Sequence, residues 1–110
     1  MEIDFYENFD CKKSVRVGKK LWHDILQIEY LDQINDVEDI IPEGHDGEGE
    51  KIERIHLEEI RNQLINGFSK LLTKYSKKSR DETNIKDLST ILEILISINT
   101  TSITHMKFDI

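Results

Sequence analysis

Residues 50–77 read EKIERIHLEEIRNQLINGFSKLLTKYSK, and the period assigned to this stretch decides the fold. Leu57, Ile60, Leu64, Phe68, Leu71 and Tyr75 step by three or four positions, and Ile65 and Leu72 widen the stripe. That spacing predicts an amphipathic helix running from Glu50 to Lys77, roughly 40 Å long at 1.5 Å per residue. Gly67 is its weak point, costing about 1 kcal/mol relative to alanine, and marks a place of close packing. Charge along the stretch changes sign. Asp46, Glu48, Glu50 and Glu53 stand at or before the expected helix start, and Lys70, Lys74, Lys77 and Lys78 near its end. A helix places partial positive charge at its first turn and partial negative charge at its last, so this order is what a stable helix would use.

Upstream, Glu43-Gly44-His45-Asp46-Gly47-Glu48-Gly49 has no apolar residue to anchor it, and residues 42–49 are expected to form a flexible acidic loop. Pro42 disfavours helix at the residue before it. Leu21, Trp22, Ile25, Leu26 and Ile28 mark a first helix from Lys19, continued by Leu31. Leu31, Ile34, Val37 and Ile40 then fall every three positions, a drift that one straight α-helix cannot bury, so a break is expected near Asn35 and Asp36. Nearer the N-terminus, Ile3 and Phe5, then Val15 and Val17, alternate as short strands, and Gly18 closes the second.

Downstream, residues 79–83 form a turn and Asn84 is the expected N-cap, with Asp87 three residues on. The third helix buries Ile85, Leu88, Ile91, Leu92, Leu95 and Ile98, while Ile94 and Ile96 fall off that stripe. Met106, Phe108 and Ile110 alternate with Lys107 and Asp109 as a terminal strand, a candidate partner for the N-terminal one. The expected fold is mainly α within the α+β class. It has a three-helix core with short strands near both termini, in a single domain over residues 1–110. An all-α bundle with extended tails is the alternative.

The 110 residues carry 22 acids against 15 bases, a net charge of −7. Residues 29–60 hold twelve acids with only Lys51 and Arg54, whereas residues 61–80 hold six bases and no acid. The net excess repels polyanions at long range, which disfavours nucleic acid and anionic membrane as partners. Lys70, Lys74, Lys77, Lys78 and Arg80 could track phosphates with Tyr75 as a stacking ring, but the run is short. A single cysteine, Cys11, permits neither an intrachain disulfide nor a thiolate cluster. The acidic start lacks an apolar signal core, and no apolar run is long enough to span a bilayer. A cytoplasmic location is expected.

Chemical motifs fail on their spacing. The glycines of the acidic loop sit among carboxylates that would repel phosphate, and no Walker lysine follows. The same loop departs from the calcium-binding order, because Lys51 stands where glycine is required. Glu53 and His56 give half of a di-iron signature whose second half is missing. Cys11 has no histidine beside it in sequence, and no nucleophile elbow is present. No catalytic residue, cofactor or metal site is expected.

These readings favour a non-enzymatic protein-binding module, inhibitor-like or immunity-like, that docks an acidic face on a basic surface such as that of a nuclease. The contact residues expected are Asp32, Asp36, Glu38, Asp39, Glu43, Asp46 and Glu48, with Ile40 or Ile41 as an apolar anchor. The alternative is a helical homo-oligomeric structural or adaptor protein whose dimer interface contains Ile94 and Ile96. A metal-binding enzyme ranks third.

Overall fold

The computed structural model describes residues 1–31, 36–40 and 50–109, with side chains for 1–31 and 52–109. Five strands and three helices follow in the order β1 (Glu2–Glu7), β2 (Asp10–Arg16), α1 (Lys19–Ile25), β3 (Asp36–Ile40), β4 (Glu50–His56), α2 (Arg61–Ser76), α3 (Glu82–Asn99) and β5 (His105–Asp109). The strands form one sheet in the order β2-β1-β5-β4-β3, and every neighbouring pair is antiparallel.

The expectation of a three-helix core with short terminal strands is therefore corrected, and so is the all-α alternative: the architecture is a five-stranded sheet with three helices. The error lies in the stretch quoted first. Its first seven residues, Glu50–His56, are strand β4, and the helix begins only at Arg61. Ile52 and Ile55 stand three apart, which suits a helix locally. The backbone of β4 instead pairs with β3 on one side and with β5 at Ile55↔Met106 and His56↔His105 on the other. Leu57 and Ile60 belong to the turn between, where the Ile60 and Arg61 amides both donate to the Leu57 carbonyl. They extend the helical stripe without being in the helix. The acidic and basic runs thus lie on different elements, and α2 has no acid in its first turn.

Alternation along the strands sorts the sheet into two faces. Ile3, Phe5, Val15, Ile55, Met106 and Phe108 share one face, set by the registers Ile3↔Val15, Ile3↔Phe108, Phe5↔Met106 and Ile55↔Met106. Onto it pack Leu21, Trp22 and Ile25 of α1, Leu64, Phe68, Leu71 and Tyr75 of α2, and Ile91, Ile94 and Ile98 of α3. Trp22 meets Phe108 edge to face at 5.4 Å. The other face carries Asp4, Tyr6, Ser14, Arg54, His56, His105, Lys107 and Asp109.

The N- and C-terminal strands pair directly, β1 with β5. Two further helix ends differ from expectation, while α2 closes within one residue of the expected Lys77. α1 stops at Ile25, where the Gln27 and Ile28 amides turn back to Asp24 and Ile25 and Tyr30 takes a positive φ of 75°. Residue 81 rather than 84 caps α3: the Asp81 carboxylate accepts from the Asn84 amide at 2.9 Å. α2 ends at Ser76. Arg61 ties α2 to the end of α3, donating to the carbonyls of Ile98, Thr100 and Ile103. A cation there answers the partial negative charge of a helix C-terminus.

Candidate interaction surface

β3 is one of the two edge strands of the sheet, next to β4 alone. Four of the nine expected contact residues, Asp36, Glu38, Asp39 and Ile40, lie on it. Asp32, Ile41, Glu43, Asp46 and Glu48 fall outside the described residues, as does the acidic loop 42–49 apart from its flank at Glu50. The register sets Asp36 opposite Arg54, Glu38 opposite Ile52, Asp39 opposite Lys51, Val37 opposite Glu53 and Ile40 opposite Glu50. No two acids stand directly across from each other, so the hairpin gathers carboxylates without the penalty of like charges in register.

Arg54 fixes the hairpin to the rest of the sheet. Only 1% exposed, its guanidinium lies 5.2 Å from the Tyr6 ring centre and 5.4 Å from that of Phe9, and it donates to the Asn8 carbonyl. Asn8, in the β1–β2 turn with φ 55°, donates its amide to the Thr104 hydroxyl at 2.8 Å. The Thr104 amide returns to the Tyr6 carbonyl at 2.8 Å, and the Leu57 amide donates to the Thr104 carbonyl at 2.9 Å. His105 places Nδ1 2.7 Å from the Thr104 hydroxyl, and its ring meets that of His56 edge-on at 4.6 Å. One of the two bases of the acidic run is thus interior, where it braces the hairpin and adds no cation to the outer surface.

Asp4 and Asp109 lie on the same outer face. Burial, reinforced by a hydrogen bond with Asp109, pushes the Asp4 carboxyl above its usual range. That same bond, with help from Lys107 at 3.1 Å, holds Asp109 below its own. Asp4 also accepts from the Ser14 hydroxyl at 2.6 Å, which joins β1 to β2. The geometry makes this pair a cross-strand tie.

On the helical side, Tyr75 is fully buried and donates to Asp24 at 2.6 Å, while Lys74 approaches Asp24 at 3.9 Å. Lys78 sits 3.9 Å above the Tyr75 ring. Tyr75 cannot therefore stack on a base, and Arg61, Lys74 and Lys78 already have protein partners. Beside them a cleft of about 520 Å³ opens between α1 and α2, lined by Asp24, Tyr30, Lys70 and Lys74 with the amides of Gln27, Gln63 and Asn66. Among the described residues, no group of three or more His, Cys, Asp or Glu side chains is placed to hold a metal ion. Glu53 and His56 stand on a strand, where a spacing of three sends them to opposite faces. Ile94 and Ile96, expected together in a dimer interface, are separated: Ile94 is in the core and Ile96 is 63% exposed. That pairing is corrected for Ile94.

Arg54, Asn8, Thr104 and His105 were missed in the sequence. Asn8 and Thr104 bond across 96 residues of sequence, and no spacing rule joins the four. No family model matches the chain, and no curated protein or solved structure matches it. Among the described residues, no helix is long and apolar enough to cross a membrane.

Proposed function

We propose that this protein is a non-enzymatic binding module of a reducing, cytoplasmic compartment that docks its acidic edge hairpin on a basic protein surface, in the manner of an inhibitor or immunity factor. The observation that supports it is the position of Asp36, Glu38 and Asp39 on an edge strand whose hairpin is braced from below by Arg54. Carboxylates gathered on one rim steer encounter with a cationic surface and reject anionic ones. An edge strand adds backbone groups that a partner strand can pair with. A nuclease's substrate channel has the required charge.

The test is affinity capture from native lysate followed by mass spectrometry, with wild type beside the combined Asp36→Asn, Glu38→Gln, Asp39→Asn variant. Wild type is expected to retain a basic protein at about 0.1 M salt and release it near 1 M, where the screening length falls from about 10 to about 3 Å. The neutralised variant is expected to bind that protein at least about tenfold more weakly, a loss of about 1.4 kcal/mol. Retention indifferent to both salt and neutralisation would overturn the proposal. So would a neutralised variant that keeps its partner but self-associates, because the charges would then only guard the edge against pairing.

A further inference from the structure

α3 carries a second apolar face that none of the described residues covers. Ile91, Ile94 and Ile98 are fully buried, whereas Ile85, Leu92 and Ile96 are 53%, 47% and 63% exposed. At 100° per residue those three lie within about 20° of one line, about 180° from Ile94. They make a straight stripe on the outer side of the helical layer, with the half-buried Leu88 and Leu95 along one margin. Lys86 and Glu93 follow the other margin.

We propose that this stripe is covered by a second copy of the chain, α3 against α3 in antiparallel orientation, about a two-fold axis near residues 90 and 91. The self-complementarity of the helix carries the argument. Such an axis sets Ile85 opposite Ile96 of the second copy, and Leu92 opposite Ser89, the small residue of the exposed line. It brings Leu88 and Leu95 together across the same axis. Lys86 comes within about 3 Å, measured along the helix, of the level of Glu93 in the second copy, and the pair occurs twice by symmetry. A parallel two-fold arrangement would instead set the Lys86 and Glu93 margin of one copy against the Leu88 and Leu95 margin of the other, leaving both charges without a counterpart. Position supports the same occupant. α3 packs over β2, the edge of the sheet opposite β3, so two copies joined here hold their acidic hairpins apart and leave both open.

The experiment is sedimentation velocity of the full chain at about 100 µM, where a dimer with a dissociation constant of about 10 µM is mostly assembled. A species of twice 13.0 kDa is expected. Ile96→Lys, at a position whose exposure spares the core, should weaken it at least tenfold with an unchanged circular dichroism spectrum. Lys86→Glu should weaken it, and adding Glu93→Lys should restore it. In a Cys11→Ser background, Ser89→Cys should cross-link to its own counterpart on oxidation. Glu82→Cys should not, being about 25 Å from its counterpart along the helix. A monomer at that concentration would overturn the proposal and give the stripe to a different protein. A dimer indifferent to Ile96→Lys, or one that cross-links through residue 82 and not 89, would overturn it equally.

Discussion

Asp24 is held below the usual carboxylate range, first by the Tyr75 hydroxyl, with burial opposing and Lys74 assisting. Tyr75 itself is pushed far up by burial and by the same bond, so its hydroxyl stays a donor at any ordinary pH. A carboxyl whose folded value lies below its unfolded value stabilises the fold above the unfolded value, and that stability is lost as pH falls through the folded one. Tyr75→Phe should therefore cost about 1.5–3 kcal/mol at pH 7, the range for a hydrogen bond to a charged group. The gap between variant and wild type should narrow as pH falls below the ordinary aspartate value near 4. Urea unfolding of both proteins at pH 7 and pH 3 checks this. Asp87, raised by burial, shifts both proteins alike and drops out of the comparison.

Between α1 and α2 the approach is set by Gly67. A Cβ built there would stand 2.5 Å from Cγ2 of Ile28, a branch that cannot swing away because β-branched side chains are stiff at χ1. Gly67→Ala gains about 1 kcal/mol of helix propensity but meets an overpacking cost of about 1–3 kcal/mol, for a net loss of roughly 1 kcal/mol. In an Ile28→Ala background the same substitution should become stabilising by about 1 kcal/mol. Thermal or chemical denaturation of the four proteins closes the cycle. The close packing at Gly67 was legible in the sequence, as were the body of α2 and the terminal strands, because each rests on local periodicity, whereas the expected stripe of α3 is corrected: Ile85 and Leu92 are exposed and Ile94, placed off the stripe, is fully buried. The β3–β4 hairpin was not. Ile52 and Ile55 fit the helical period and not the strand period, Leu57 and Ile60 prolong the helical stripe through a turn, and only pairing with β3 and β5 overrides the pattern. The acidic run could be read directly, but the Arg54 brace beneath it depends on residues from three distant segments.

At the scale of the molecule, the last strand in sequence is the middle strand of the sheet. β5 alone joins β1 and β2 to β4 and β3. It supplies Met106, which is fully buried and stands opposite both Phe5 and Ile55. A chain ending at Thr104 should therefore lose cooperative unfolding altogether, with circular dichroism showing residual helix and no sharp melting transition. An equally long deletion of residues 43–48, between β3 and β4 in sequence, should preserve the transition, since the length of a connection changes closure entropy only slowly.

For a ribosome making this protein, the order of synthesis runs against the order of assembly. Two hairpins and three helices emerge before the segment that stitches them together, and the nascent polypeptide carries bare strand edges until His105–Asp109 has been made. A pause or a stop before that strand should therefore yield a sticky fragment rather than a smaller working protein.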